Sequence, residues 1–175
     1  MAVSESWRRI EDWLKEHAPE LASLLNPPAS REKISGAEKA LGVVFPPSLA
    51  ESYLVHDGES KASDGVSGLW RWFSLDEIVA QNEEMKLIER AYAFGDYEPG
   101  LMIPIMEDGG GNLLYVETTA AGETPVIEWH HEEPVRDVKY DSFGAMLEGF
   151  AGRLEAGDFL LRTGVLMGLV DKDDL

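Results

Sequence analysis

The sequence has 175 residues, a net charge of −18 and no cysteine. This length suits one domain, and a 44% apolar content with five tryptophans excludes a disordered acidic chain because it can fill a core. The lack of cysteine excludes disulfides and thiolate metal sites and favours a reducing compartment. The N-terminus lacks the basic and apolar regions of a signal peptide, and no apolar run approaches the roughly 18 residues of a membrane span. We therefore expect a cytoplasmic protein.

The acidic residues are concentrated after residue 50. Residues 1–50 contain seven acidic and six basic side chains, whereas residues 51–175 contain 26 acidic and nine basic ones. A surface this negative repels nucleic acid and anionic lipid headgroups, and it attracts basic proteins. Solubility alone also explains such a charge. The functional interpretation is an acidic face for a basic protein partner, with no nucleic acid and no membrane involved.

The first predicted element is an amphipathic helix. Four residues recur at helical spacing: Trp7, Ile10, Leu14 and His17. Ser4 or Ser6 is a suitable N-cap for this helix. Pro19 and then Asn-Pro-Pro at 26–28 end the pattern.

Two shorter helices follow. Ser30 is a suitable N-cap for the second helix, and Gly42 is a left-handed stop. The third helix fits residues 47–55, with a proline at its start, and we expect it to end before His-Asp-Gly at 56–58. Residues 59–68 are small, polar and contain glycine, which predicts a loop.

A strand and a long helix come next. Residues 69–73, Leu-Trp-Arg-Trp-Phe, alternate as a strand does. Ser74 and Glu77 form a capping box, in which the serine oxygen accepts a helical N–H and the glutamate accepts the serine N–H. The helix is predicted to run to about Tyr92, and residues 95–100 are predicted to form a loop.

A glycine tract lies between two apolar runs in the centre of the chain. Residues 108–112, Asp-Gly-Gly-Gly-Asn, follow the run at 101–105 and precede the run at 113–117. A further strand is predicted at 125–130, after a turn at 120–122. Connections this short join antiparallel neighbours.

The last predicted helix begins after Asp141 or Ser142 and ends at Gly157. Its inward residues are Phe143, Leu147, Phe150 and Leu154. We expect residues 159–161 to dock as a short element and the acidic end, 171–175, to be frayed. Helices at both ends and strands in the centre predict an α+β fold with a central, largely antiparallel sheet flanked by helices.

Six short motifs occur in order between residues 5 and 157. They are Trp7-x-x-Ile10-x-x-Trp13-Leu14, Pro28-Ala29-Ser30, Leu41-Gly42-Val43-x-Phe45-Pro46-x-x-Leu49, Tyr53-x-x-His56-Asp57-Gly58, Ile103-Pro104-Ile105 and Ser142-Phe143. This series resembles the SUKH superfamily, which includes fungal cell-wall assembly regulators and bacterial immunity proteins. Two features depart from it: the family often has asparagine where this chain has His56, and residues 158–175 match none of its motifs. We expect a SUKH-like single domain at 1–157 and a partly docked C-terminal extension at 158–175.

The resemblance implies a non-enzymatic function without a cofactor. Bacterial relatives commonly bind and neutralise a toxin, often a nuclease, whereas fungal relatives act as scaffolds for signalling partners. Combined with the acidic charge, it leads us to expect an immunity-type protein that blocks a basic toxin by steric and electrostatic means. The alternative is a cytoplasmic scaffold or regulatory protein of envelope or signalling processes.

The glycine tract lacks the features of a ligand loop. No Gly-Lys-Ser/Thr ending follows it, Asp108 would repel a phosphate, and the acidic spacing of a calcium loop is missing. A hairpin turn whose glycines take positive φ angles is the better interpretation. With Glu107 beside it, the turn is a candidate part of the acidic surface that a partner meets.

His56 and Asp57 resemble the metal-binding pair of certain phosphohydrolases, with His17 as a conceivable third ligand. Such a metal-dependent hydrolase requires the pair on a helix that faces the metal. Gly58 ends the helix at once, and Asp-Gly favours a turn. The hydrolase is therefore the least favoured alternative.

Tryptophans complete the set of candidate binding residues. Trp70 and Trp72 share one face of their predicted strand, and Trp129 lies in a later strand. A core role is expected for them, yet tryptophan is also a frequent interface anchor. The candidate partner-binding residues are Asp57, Trp70, Trp72, Glu107, Asp108, Asn112 and Trp129.

Overall fold

A computed structural model of the chain describes residues 2–68, 70–92, 101–118, 122, 124–132, 136–162 and 168–172. The helices within these residues are α1 (Val3–His17), α2 (Pro19–Ala22), α3 (Arg31–Leu41), α4 (Pro47–Tyr53), α5 (Leu75–Tyr92) and α6 (Phe143–Ala156). The strands are β1 (Arg71–Trp72), β2 (Met102–Glu107), β3 (Leu113–Glu117), β4 (Val126–Trp129), β5 (Arg136–Tyr140), β6 (Phe159–Arg162) and β7 (Gly168–Asp171). None of the described helices combines the length and the apolar character that a bilayer crossing requires.

The centre of the fold is an antiparallel sheet in the order β1-β2-β3-β4-β5. Each of these strands pairs with the next one along the chain. The connections from β2 to β5 are short and favour antiparallel hairpins, whereas β1 is connected to β2 through α5. β6 and β7 form a separate antiparallel pair after α6. The predicted α+β class with a central antiparallel sheet flanked by helices is confirmed.

The helices pack in two groups. α1 packs against α2, α4 and α6, and α3 packs against α5, which also contacts β2. Trp7 of α1 lies 5.4 Å from Trp72 between ring centres, and Trp72 makes an edge contact with Phe143 of α6 at 5.6 Å. These buried rings join the first helix, the sheet and the last helix in one core.

The predicted helix boundaries in the second half of the chain are confirmed by their caps. Ser74 N donates to Glu77 Oε2 at 2.9 Å and Ser74 Oγ accepts from Glu77 N at 3.4 Å, which is the capping box of α5. Ser142 Oγ accepts from Ala145 N at the start of α6. Gly157 ends α6 in the left-handed conformation.

The start of α1 and its end differ from the prediction. The helix begins at Val3 after Ala2, so neither Ser4 nor Ser6 is the N-cap. Ser4 N donates to the Glu51 carboxylate of α4. Glu51 thus provides the acceptor that an N-cap side chain usually provides for the first N–H groups of a helix. Pro19 does not only end the pattern: it begins α2, because proline is tolerated in the first turn of a helix.

The C-terminal segment is more ordered than predicted. Phe159 and Leu169 are buried, and the β6–β7 hairpin that carries them was not recognised from the sequence. Asp171 pairs with Arg153, with 2.6 Å between Oδ2 and Nη1, and Lys172 N donates to Asp158 O. Ion pairing and strand pairing thus hold residues 171–172, the first two of the acidic end predicted at 171–175. Residues 173–175 and the loop predicted at 95–100 lie outside the described residues.

Candidate functional site

The glycine tract is the turn between β2 and β3. Gly109 and Gly111 have φ angles of 73° and 102°, as a hairpin turn requires. Asp108 Oδ1 accepts from Gly110 N at 2.7 Å and from Asn112 N at 3.0 Å, and Asp108 Oδ2 accepts from Asn112 Nδ2 at 2.7 Å. Both carboxylate oxygens of Asp108 are thus used to close the turn. The main role of Asp108 and Asn112 is therefore to stabilise the turn.

His56 and Asp57 form a structural junction. His56 Nδ1 lies 2.9 Å from Asn26 O, and its Nε2 lies 3.0 Å from Glu11 Oε1. Asp57 Oδ1 accepts from Leu75 N, the first N–H of α5, and Asp57 Oδ2 accepts from Lys33 Nζ at 2.7 Å. Within the described part of the chain, no three or more His, Asp or Glu side chains are placed to hold a metal ion. The junction holds α1, α3 and α5 together.

Two rows of side chains run across the sheet on opposite faces. The first row is Trp72, Met106, Leu114, Glu128 and Asp137, each directly opposite the next on neighbouring strands. The second row is Arg71, Glu107, Leu113, Trp129 and Arg136. Because successive strand residues point to opposite faces, the two rows cannot share one binding surface.

The candidate binding residues are therefore divided between two places. Trp72 and Trp129 are 4% and 6% exposed, so both lie in the core, on opposite faces of the sheet. Trp70 is half-buried and stays accessible on the side of Trp72. Glu107 lies on the other side, next to the glycine turn. Asp57 is also buried, so it supports the fold rather than offering a free carboxylate.

A cleft of about 410 Å³ lies between the first row, α6 and the β6–β7 hairpin. It is called the aromatic cleft below, after the residues that form most of its walls: Trp70, Trp72, Met106, Leu114, Phe150 and Phe159. Trp72, Met106 and Leu114 form its floor because they are neighbours in one row across three strands. Ser67, Gly68 and Trp70 form part of its mouth.

Two ion pairs border the aromatic cleft. Glu128, which is 8% exposed, pairs with Lys139 at 2.5 Å between Oε2 and Nζ. The Glu128 carboxylate raises the pKa of Lys139, which stays charged at neutral pH. Arg153 pairs with Asp171, and its guanidinium lies 4.8 Å from the ring centre of Phe159. The cleft thus combines an apolar aromatic floor with a charged rim, which suits a side chain that has an apolar body.

A groove of about 390 Å³ lies on the opposite face, between α5 and the strands β1 and β2. It is called the acidic groove below, and its carboxylates are Glu77, Glu84 and Glu107. Arg71 lies among them: its Nη1 is 3.0 Å from Glu77 Oε1, and its Nε donates to Glu107 Oε1 at 3.0 Å. The groove keeps an excess of acidic side chains although Arg71 and Lys61 also line it.

Comparison with known proteins identifies the family. Residues 28–149 match the SMI1 / KNR4 family (SUKH-1), which is more than half of the chain. The chain belongs to this family. The resemblance of the sequence motifs to the SUKH superfamily is thereby confirmed.

The relatives of this SUKH-1 chain include fungal regulators. A KNR4/SMI1 homolog of Kluyveromyces lactis is 39% identical over 79 residues, which cover 42% of this chain and 15% of that protein. The cell wall assembly regulator SMI1 of Saccharomyces cerevisiae is 34% identical over 96 residues, 50% of this chain and 19% of that protein. A glucan synthesis regulatory protein of Neurospora crassa is 26% identical over 92 residues, 51% of this chain and 17% of that protein. The chain therefore matches less than a fifth of the length of each of these relatives.

The SUKH-1 match and the structure agree on which elements carry the fold. The matched range contains α3, α4, α5, the whole five-stranded sheet and the first half of α6. Both rows across the sheet lie within it. α1 and the β6–β7 hairpin lie outside it, so the hairpin wall of the aromatic cleft belongs to the unmatched part of the chain.

Sequence reasoning missed several residues of the SUKH-1 chain that shape its surfaces. Glu128, Lys139 and Arg153 border the aromatic cleft, and none of them stands in a recognisable motif. The only sequence signal is the pair of apolar side chains at Val138 and Tyr140 among charged ones, which is too short to predict a strand.

Glu59 was also missed, because it lies in a segment predicted as a loop. It is 1% exposed, and its carboxylate accepts from Ser63 Oγ, Val66 N and Trp72 N. Burial raises the pKa of Glu59 to about 7, although these hydrogen bonds and Arg71 oppose the shift. Glu59 thereby fastens the segment that leads to the mouth of the aromatic cleft.

Proposed function

We propose that this SUKH-1 chain is a non-enzymatic protein-binding domain with a regulatory or scaffolding role. The names of its fungal relatives, a cell wall assembly regulator and a glucan synthesis regulatory protein, support a regulatory role. The observation that carries the proposal is the aromatic cleft, whose volume of about 410 Å³ can take a side chain of a partner protein. Binding pockets of this kind are mostly apolar with a few polar groups that fix orientation.

The partner places an apolar anchor side chain in the aromatic cleft. Trp70 at the mouth and Phe159 on the far wall supply flat apolar surface, and such rings supply much of the energy of protein interfaces. The two ion pairs at the rim, Glu128–Lys139 and Arg153–Asp171, exclude water from the edge of the contact and orient polar groups of the partner.

The acidic charge determines how the partner approaches. With a net charge of −18, the chain attracts a basic partner from a distance, and this raises the association rate more than the final affinity. Glu107 and the other carboxylates of the acidic groove, together with Asp108 in the adjoining turn, contribute to this attraction from the face opposite the cleft. The partner is accordingly a protein with a basic surface and an apolar anchor.

Replacing Trp70 by alanine is expected to weaken partner binding by about tenfold or more, since truncating an aromatic anchor costs ~2 kcal/mol. The experiment captures a partner with the wild-type chain, identifies it, and measures its affinity by calorimetry. Leu87→Ala is the matched control, because Leu87 is a large apolar residue on α5 that is 63% exposed and does not line the cleft. Equal affinity for the two variants, with both folded by circular dichroism, would contradict a binding role of the cleft.

Neutralisation of a basic toxin is the second candidate function, and the charge of −18 favours it. In this case the chain would bind a cationic toxin domain, of nuclease type, and block its substrate site. The association rate with such a domain is expected to fall steeply as salt rises, since the attraction acts over a distance that salt screens. Stopped-flow association at low and physiological salt, together with a nuclease assay, tests this. Association that does not respond to salt, or a toxin that stays active in the complex, removes this candidate and leaves the regulatory one.

A further inference from the structure

The free edge of the sheet is formed by β5, residues 136–140. Within the described part of the chain, β4 is its only neighbour in the sheet, and all five of its residues are exposed. Val138, the central residue, is 62% exposed. An edge strand presents one row of backbone N–H and C=O groups that pair readily with another strand. At the opposite edge, β1 has only two residues and offers a much shorter row.

The sequence of β5 is complementary to itself in antiparallel pairing. When two copies pair with Val138 opposite Val138, Asp137 of each copy lies opposite Lys139 of the other. β5 bulges at Lys139, so Arg136 and Tyr140 point to opposite faces of the sheet and add no contact to this pairing. Opposite charges in directly opposed positions stabilise a strand pair, and two-fold symmetry makes each contact occur twice.

Neighbouring registers are disfavoured by the same side chains. Shifting the centre of pairing by one residue, with the faces of the two sheets kept on the same side, places Asp137 opposite Asp137 or Lys139 opposite Lys139. Like charges directly opposite destabilise a strand pair. Charged residues on an edge strand often keep strands apart, but here they select one register instead.

The surroundings of Asp137 also favour pairing of β5 with a second copy. It lies directly opposite Glu128 on β4, so two carboxylates are neighbours across the sheet. Lys139 pairs with Glu128, and within the described residues Asp137 forms no ion pair. A second copy would place another Lys139 beside Asp137. The ammonium group has three donors, so Lys139 has enough donors for Glu128 of its own copy and Asp137 of the other.

We propose that two copies of this chain pair antiparallel through β5, centred on Val138, and form one continuous sheet. The symmetry axis passes between the two Val138 residues, perpendicular to the sheet. The first rows of the two copies then lie on the same side of the joined sheet, so the two aromatic clefts open on that side. This pairing does not depend on the proposed partner or on the role of the cleft.

The test is the molar mass in solution, measured by sedimentation equilibrium over a range of concentrations at about 0.15 M salt, where the Debye length is about 8 Å and the net charges are screened. The wild type is expected to approach twice its mass of 19.4 kDa as concentration rises. Asp137→Lys or Lys139→Asp alone places like charges opposite each other, and each is expected to raise the dissociation constant by ~10-fold or more. An equimolar mixture of these two variants has opposite charges at both positions and is expected to associate again.

Lys139→Asp also removes the ion-pair partner of the buried Glu128 and could unfold the chain, so a further variant is needed. Val138→Lys changes an exposed side chain and places two lysines opposite each other, so it is expected to be folded and monomeric. A wild type that stays monomeric at every concentration overturns the proposal. Dimers of Val138→Lys as strong as those of the wild type overturn it too, as does a mixture of the charge variants that fails to associate while both are folded.

Discussion

Gly58→Ala is expected to destabilise the chain by at least ~4 kcal/mol, a loss that few single substitutions cause. Gly58 has a φ angle of 69°, and a Cβ there would lie 2.4 Å from the backbone C and O of Phe73. Those atoms cannot move aside easily. Phe73 O accepts from Tyr53 Oη, and Phe73 N donates to Ile105 O, so a shift would break contacts of α4 and β2.

Gly109→Ala is the matched control for this substitution. Gly109 has nearly the same φ angle, 73°, but a Cβ there would meet no atom within 4 Å. Gly109→Ala is expected to lower the free energy of unfolding by only ~1 kcal/mol, which is the cost of the left-handed conformation for an alanine. Urea denaturation gives both free energies of unfolding. Equal losses for the two variants would show that backbone strain alone is responsible and that the contact with Phe73 relaxes.

Glu59→Gln is expected to make the chain more stable than the wild type above about pH 7. The pKa of Glu59 rises from its usual value of 4.5 to about 7 in the folded state, because the side chain is buried. Between these values the folded chain holds a proton that the unfolded chain has released, so the stability of the wild type falls as pH rises from about 4.5 to about 7. The difference amounts to ~3 kcal/mol at most, and glutamine removes it because it does not ionise.

The measurement is the free energy of unfolding of both proteins at several pH values from about 4.5 to 8. Subtracting the two curves cancels the contribution of the other carboxylates. Below pH 4.5 the two proteins are expected to be nearly equal, since glutamine resembles the neutral carboxyl in size and hydrogen bonding. A variant that is less stable than the wild type by the same amount at every pH would contradict this prediction. Glu59 would then be ionised in the folded chain, because the three groups that donate to its carboxylate offset the effect of burial on its pKa.

Helix ends were predictable from the sequence because caps act over three or four residues. Ser30, Ser74 and Ser142 each accept or exchange hydrogen bonds within one helical turn, so the residue types suffice to locate them. The turn at Asp108 was predictable for the same reason. The start of α1 was not, since its acceptor comes from Glu51, 47 positions away.

The surfaces were not predictable, because they depend on which residues become neighbours across the sheet. β5 reads Arg-Asp-Val-Lys-Tyr, and its two apolar side chains, Val138 and Tyr140, are too weak a signal for a strand. Unless β5 and its register are known, the sequence does not show that Glu128 and Asp137 are neighbours. The types of the seven candidate binding residues do not show which of them share a surface. Strand register reveals that Glu107 and Trp72 lie on opposite faces of the sheet.

The contact between α1 and α6 has a consequence for synthesis of the chain. Trp7, Ile10 and Leu14 of α1 are buried in the core, α1 packs against α6, and Arg9 pairs with Glu155, 146 positions later. α1 leaves the ribosome well before α6, the helix with which it makes its most extensive contact. At ordinary rates of translation the delay is on the order of 10 s, during which the apolar stripe of α1 has no native cover. Packing of α1 therefore waits until α6 has been made, and until then the nascent chain is exposed to aggregation or chaperone binding at α1.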